Sequence, residues 1–535
     1  VTMTPLREAL RRLREHRPPE RAHPELVDAG VAFTTVGGPL ERRWRQAVTT
    51  LADCLRVVDG EQVLLEGGGY DGTWLESTAT AATDVLDRFA PSVVHATHLL
   101  LARHARADGL LPYKVTAQGP AFTQIQMVTP LARGVWHHYL RTGDRDYLAT
   151  MHAAAAAHDA WLARHRDTRG TGGVEAFCTF DTGHDLSPRF WGVPDRCLHG
   201  DAARYDDDVA SLPFVAPDLT ANVACQRRYL ALSAAELGED PEPWSRAAEA
   251  STEALLAQCF DPDAVAFYDR TADGTLLRLD SDVLLRVLAC EIGDAALAEA
   301  ALGRHLLNRR RFLAAAGLTS VAMDDPRFDG DHTRNSWAGP VNMLTMLRAP
   351  AAFDHHGHVA ELLAVERPLL GAMAGHDRFP QCLDPASGAP GFADAYAPAV
   401  LWLLDAVERT CGVLERPDGE TWLTAVPPTR LDGGHAAAAS GYARTVRGVR
   451  HELVADDTVA EVHRQGQPWL TFPRGWRVVL DGDGEPSAVV GVAPRAVTGR
   501  LRGAGVDVEL TVEPNQRVVL ATGERVDVGL VAQRS

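Results

Sequence analysis

Residues Cys178–Trp191 read C-T-F-D-T-G-H-D-L-S-P-R-F-W. Asp181 and Asp185 flank Gly183, and Ser187, Pro188 and Arg189 lead into the aromatics Phe190 and Trp191. Turn formers set among acids and aromatics belong to an ordered loop rather than to a helix or strand. Aromatic rings give a sugar an apolar face to lie on, and Arg189 can fix a carboxylate or a hydroxyl. Breaking a glycosidic bond needs one protonated carboxyl near the leaving oxygen and a second, ionised carboxylate on the opposite face. A carboxyl among aromatics has its charged form disfavoured, so Asp185 is the expected general acid.

Outward from this loop the chain reads as helices. Trp44, Ala47, Leu51, Cys54 and Leu55 recur at three and four residues, one face of a helix. The same spacing places segments at Glu41–Val57, after Trp74, and at about Pro91–Ala107, Thr129–Thr142, Tyr147–His165, Leu219–Leu237, Trp244–Cys259, Asp280–Cys290, Ala295–Asn308, Val341–Leu347, His358–Ala374 and Tyr396–Cys411. About a dozen helices joined by long loops fit an (α/α)6 toroid over residues 36–412. An α-solenoid would show a fixed repeat period, and none is present. Residues 1–35 form an arm with a short amphipathic helix, Leu6–His16, ended by Pro18 and Pro19.

Strand-like runs are nearly absent until past residue 420. Short β-like runs then follow at Trp469–Phe472, Trp476–Leu480, Ala488–Val492, Val506–Val512, Arg517–Ala521 and Val526–Val531. In Val506–Val512 apolar residues alternate with Asp507, Glu509 and Thr511, a strand with one buried face. Residues 413–535 therefore read as an antiparallel β-sandwich.

A second loop carries chemistry. Gly67–Gly69 break the structure, and Tyr70, Asp71, Trp74 and Glu76 follow at once. No G-K-[ST] follows, so this is not a phosphate cradle. Trp74, Trp191 and Trp337 lie in loops and are expected as sugar platforms, whereas Trp136, Trp161 and Trp244 lie in helical patterns and belong to the core. His355, His356 and His358 beside Asp354 read as ordinary side chains rather than a metal site.

Composition sets outer limits. The 535 residues are 46% hydrophobic and 23% charged, which is ordinary for a globular protein. The net charge of −18 argues against nucleic acid or an anionic membrane as partner and favours a neutral or cationic small substrate. Eight scattered cysteines without a C-x-x-C read as a reduced, cytoplasmic thiol set. The first residues have no apolar core of a signal peptide, and no apolar run approaches the ~20 residues of a membrane span. Nucleophile-elbow, dinucleotide and P-loop motifs are absent.

Several segments, in order, give a resemblance. T-G-H-D-L-S-P-R-F resembles the Gly-x-Asp-x-Ser-x-Arg loop of inverting (α/α)6-barrel glycosidases related to trehalases, processing α-glucosidases and mannosylglycerate hydrolases, which carries the catalytic acid on its Asp. Gln126–Leu148 is similar to their Q-P-P helix and T-G-D turn, and Pro217–Asn222 to their P-D-L-N-A stretch. Cys259–Arg270 resembles the segment ending in F-Y-D, and Asn335–Asn342 their W-R-G-P-x-W loop. The resemblance spans about residues 40–410. It implies Asp185 as acid, with Tyr70, Asp71, Trp74, Glu76, Gln126, Asp181, Arg189, Trp191, Asp218, Trp337 and Asp384 around the sugar.

Two positions depart from the pattern. Ala338 stands where the family has the Arg after Trp. The family's catalytic base lies in E-x-Y-D-P-x-T-G, and the matching stretch here is Q-C-L-D-P-A-S-G, Gln381–Gly388. An amide cannot take a proton from water. Asp384, Asp394, Asp71 and Glu76 are alternative bases on nearby loops; a deliberate Glu→Gln change at 381 is a second explanation, against which Leu383 in place of the family's Tyr argues. The expected function is an inverting glycoside hydrolase acting on a small α-linked glycoside without a cofactor. The alternatives are a non-hydrolytic sugar- or glycoconjugate-binding protein and a sugar isomerase or lyase on the same toroid.

Overall fold

The computed structural model describes residues 3–126, 130–431 and 436–528. Residues 127–129, within the expected Gln126–Leu148 motif, and residues 529–531 of the last expected strand lie outside these ranges.

Helices occupy the expected places with shifted ends. Leu131–Thr142 stops at Gly143, whose φ of 68° only a residue without Cβ adopts freely, and Asp144 starts Arg145–His165 by accepting from Tyr147 N at 2.9 Å. This is the T-G-D turn: one glycine ends a helix and one aspartate begins the next. Pro217–Leu237 ends the same way at Gly238 and folds back on Glu242–Cys259. One set of segments closes a ring of contacts. Ser77–Leu86 touches Leu131–Thr142, which touches Pro217–Leu237, then Val283–Ala289, Met343–His355 and Ala397–Cys411, which returns to Ser77–Ala82. Ala397–Cys411 is buried along almost its whole length, as a helix surrounded on all sides must be.

Short strands also occur before residue 420, against the expectation that they would be nearly absent. Leu55–Val58 pairs with Glu61–Leu64, and Thr73–Trp74, Lys114–Thr116 and Gly119–Ala121 form a small sheet. Pieces of two or three residues are too short to show an alternating pattern.

The C-terminal region holds two antiparallel sheets. One has seven strands, and its edge strand is Ala32–Thr35 from the N-terminal arm, paired with Ser440–Val446. The other has six strands, from Val413–Glu415 to Arg525–Asp527. Leu6, Ala9 and Leu13 of the arm helix Pro5–Arg14 pack with Ala443 and Val454 of the first sheet. Ser440–Val446, Val449–Ala455 and Val459–Arg464 were not among the expected strands, because charged residues interrupt their apolar runs.

Helices and sheets meet across buried ions. Glu408 receives Arg88 Nη1 at 2.5 Å, Arg444 Nη1 at 2.5 Å and Tyr442 Oη at 2.9 Å. Glu366 nearby is fully buried, and among the described residues neither of its carboxylate oxygens has a hydrogen-bond partner. Burial, reinforced by Asp405, pushes its carboxyl from 4.5 up to about 8. Between those values the unfolded chain has lost a proton that the folded protein keeps, so this group's contribution to stability is whole below about 4.5 and is lost as the pH rises through about 8. Glu366→Gln is therefore expected to gain in Tm over the parent as the pH is raised from about 5 to about 8.5. Melting curves at both pH values check this, and equal differences at the two would contradict it.

Candidate active site

Asp185 lies in the loop between two short 3₁₀ turns, Thr179–Asp181 and Pro188–Phe190. Its backbone carbonyl accepts from Trp337 N at 2.9 Å, and its Oδ2 accepts from Asn335 Nδ2 at 2.5 Å. Asn335 Oδ1 in turn accepts from Gln381 Nε2 at 2.8 Å, and Gln381 Oε1 accepts from Tyr70 Oη at 2.7 Å. A single relay thus joins the expected acid to the residue at the expected base position. Among the described residues no arginine, lysine or histidine forms an ion pair with Asp185. Burial, then the charges of Glu76 and Asp195, raise its carboxyl to about 8. A carboxyl protonated at neutral pH is a group able to donate a proton.

Glu76 is buried under the loop. It accepts from Arg348 Nη2 at 2.6 Å and from Gln126 Nε2 at 3.1 Å. Its carboxylate lies against Gly183, where a Cβ would stand 2.1 Å from Glu76 Oε2, and Gly183 has a φ of 65°. Gly183→Ala would strain the backbone and displace Glu76, so it is expected to lower both Tm and activity, the latter at least about tenfold, with strain of about 1–3 kcal/mol. Thermal melts and initial rates check this, and wild-type values in both would contradict it.

Glu66 was not expected at the site. It immediately precedes Gly67–Gly69, and Gly67 (φ 72°) lets the chain pass Ala395, whose oxygen a Cβ would meet at 2.5 Å. Glu66 Oε1 accepts from Tyr396 Oη at 2.8 Å, and Tyr396 packs 6.1 Å from the ring of Tyr70. Glu66 therefore stands on the Tyr70–Gln381 side of the relay. Burial raises its carboxyl to about 8; the Tyr396 hydrogen bond opposes this, and Glu76 and Asp185 add to it. A glutamate beside three glycines was the available signal. Asn335 was legible only as the first letter of N-S-W-A-G-P.

Other expected residues have structural duties instead. Asp181 is fully buried; it accepts from Arg166 twice, from Ile125 N at 2.9 Å and from Phe177 N at 2.8 Å, so it anchors the loop and cannot reach a sugar. Arg189 is held by Asp218 and Asp269 at 2.7–2.9 Å, which removes both Arg189 and Asp218 from direct sugar contact. Trp337 is 1% exposed, between His184 and Arg286, and offers no free face. Asp384 closes its own turn onto Ser387 N and Oγ at 2.7 Å, and Asp71 and Asp394 are exposed. A single sequence cannot tell a buried ion pair from a ligand when both use the same residue types.

Around this loop some apolar and aromatic side chains reach the surface. Trp191 is 68% exposed and Leu186, beside the acid, 52%. Trp74 is half-buried next to Tyr70, and Lys114 Nζ lies 4.6 Å from its ring centroid. Lys114 is the chain's single lysine, and among the described residues no carboxylate pairs with it.

A model of the mannosylglycerate hydrolase MGH1-like glycoside hydrolase domain matches residues 70–397, and the chain belongs to that family. The mannosylglycerate hydrolase of family GH63 from Thermus thermophilus, solved with glucose, is 18% identical over 68% of this chain and 99% of its own, with a TM-score of 0.57. The same enzyme has been solved with Tris and D-glycerate, at the same coverage and TM-score. Neutral trehalase Nth1 of Saccharomyces cerevisiae is 12% identical over 69% of this chain and 80% of its own, with a TM-score of 0.52. These likenesses concern the fold. No curated protein sequence matches the chain. No described helix is long and apolar enough to cross a membrane.

Proposed function

We propose that this glycoside hydrolase cleaves a small α-linked glycoside with inversion at the anomeric carbon. The catalytic unit is an (α/α)6 toroid at residues 36–412, with an arm at 1–35 and a β-sandwich at 413–535. The reading rests above all on Asp185, a half-buried carboxyl that no cation pairs with among the described residues, raised to about 8 beside the exposed Leu186. With Oδ2 held by Asn335, Oδ1 carries the proton to the leaving oxygen. Both ends of the Gln381 amide are occupied, which suits it to orienting Asn335 and leaves proton removal to a carboxylate. Glu66, ionised as the pH rises through about 8, takes that role: it accepts a proton from the attacking water as the oxygen joins the anomeric carbon. Leu186, Trp191 and Trp74 supply the apolar surface against which the sugar lies.

Lys114 argues for an anionic group on the leaving part of the substrate, because a local ammonium with no carboxylate paired to it among the described residues outweighs a distant net charge of −18. A glycerate glycoside, the class for which the similar Thermus enzyme is named, is the first substrate to try. Initial rates on α-mannosyl-D-glycerate should exceed those on neutral α-disaccharides. Lys114→Met should reduce kcat/KM at least about tenfold on the anionic substrate, mainly through KM, and leave the neutral ones unchanged. Equal losses on both classes would remove Lys114 from substrate recognition.

A further inference from the structure

We propose that Cys178 and Cys197 are a reversible disulfide site that clamps the two ends of the loop carrying Asp185. This inference does not depend on the reaction catalysed. All eight cysteines are free and buried. Cys178 and Cys197 have their sulfurs 3.5 Å apart. The backbone has already aligned the two arms: Thr179 N donates to Pro194 O at 2.9 Å, and Phe180 N donates to Asp195 O at 3.1 Å. The sulfurs have to close from 3.5 Å to the roughly 2.05 Å of a disulfide.

The neighbours favour sulfur chemistry over a metal. Asp181 completes a buried three-donor group with the two thiols, all within 4.8 Å. Its oxygens are already taken by Arg166 and two backbone amides, and Arg166 Nη2 lies 3.5 Å from Cys197 Sγ. A guanidinium in that place repels a metal cation, while burial and then the hydrogen bond from Cys197 push the Cys178 thiol well above its ordinary range, so Cys178 is not the first of the two to ionise. Both thiols are buried, but Asp195, Arg196 and His199 beside Cys197 are exposed, so a local opening of this arm presents Cys197 to a reagent first.

With oxidised glutathione as the oxidant, Cys197 gives up its proton and its sulfur attacks the glutathione disulfide. That S–S bond breaks, and the released glutathione thiolate takes up a proton. Cys178, deprotonated in turn, attacks Cys197 Sγ and expels the second glutathione as a thiol. The protein loses two hydrogens and gains one S–S bond, and two glutathione thiols are formed.

The test is equilibration of the whole protein with oxidised glutathione, alkylation under denaturing conditions, and mass spectrometry of tryptic peptides. The expected result is a cross-link between the peptide ending at Arg189 and the peptide Cys197–Arg204, with a higher Tm that dithiothreitol reverses. Cys178→Ser and Cys197→Ser should each abolish the cross-link and the Tm rise. The proposal is overturned if both cysteines of the wild-type protein stay alkylatable, if they end as separate glutathione adducts, or if the protein binds zinc stoichiometrically through them. The wild-type readout decides the question even if a serine variant fails to fold.

Discussion

Asp185→Asn is expected to reduce kcat/KM on a natural glycoside by about 10²–10⁴, the usual contribution of a positioned proton donor. The change keeps the size of the side chain and the hydrogen bond that Asn335 can share with it, so Tm should change little. The loss should depend on the leaving group. A glycosyl fluoride departs without a proton, and on that substrate the variant should keep most of its rate. A uniform loss on both substrates would mean that the substitution had disturbed the loop rather than removed an acid. The pH profile gives a second reading. Asp185 works protonated, so the wild-type rate should fall as the pH rises through about 8. In the asparagine variant, measured with the fluoride, that limb should disappear.

Glu66→Gln is expected to cost a comparable factor, about 10²–10⁴, because it removes the carboxylate assigned to activate water. Here the fluoride gives no relief, since water must attack in either case. The companion variant is Gln381→Glu. If Gln381 stands where the enzyme lacks a base, restoring the acid should raise the rate severalfold or more. The relay predicts otherwise. A carboxylate at this position loses the Nε2 donor that holds Asn335 Oδ1, and it faces that oxygen with a negative charge instead. Asn335 then loses its orientation, and hydrolysis should not exceed that of the wild type. A fully active Glu66→Gln together with a faster Gln381→Glu would reverse the assignment. Glu66 is itself raised to about 8, so the ascending limb of the pH profile should lie high, and the optimum should fall on the alkaline side of neutrality.

The helices were legible because each repeats its apolar residues over several turns and ends on a recognisable signal, as at Gly143 and Asp144. The seven-stranded sheet was legible only in part. Arg444, His451 and Glu452 place buried charge in strands whose pattern then ceases to alternate. The Ala32–Thr35 edge strand is invisible for another reason: its partner, Ser440–Val446, lies at the far end of the chain. Of the residues that the relay and its neighbours bring together, Asp185 stood out in its loop, and Tyr70, Trp74 and Glu76 in theirs. Arg189, Asp218, Asp181 and Trp337 could not be separated from ligands, because each is consumed by a partner distant in sequence. Glu66 was hidden for the opposite reason, since nothing in its own neighbourhood shows that Tyr396 and the relay from Asp185 converge beside it.

The most direct test of the central claim is proton NMR of the sugar released in the first minutes of hydrolysis of an α-glycoside. An acid at Asp185 facing a base-activated water predicts the β-anomer first, followed by slow mutarotation to the equilibrium mixture. The α-anomer appearing first, or a bound glycoside that is never cleaved, would contradict it.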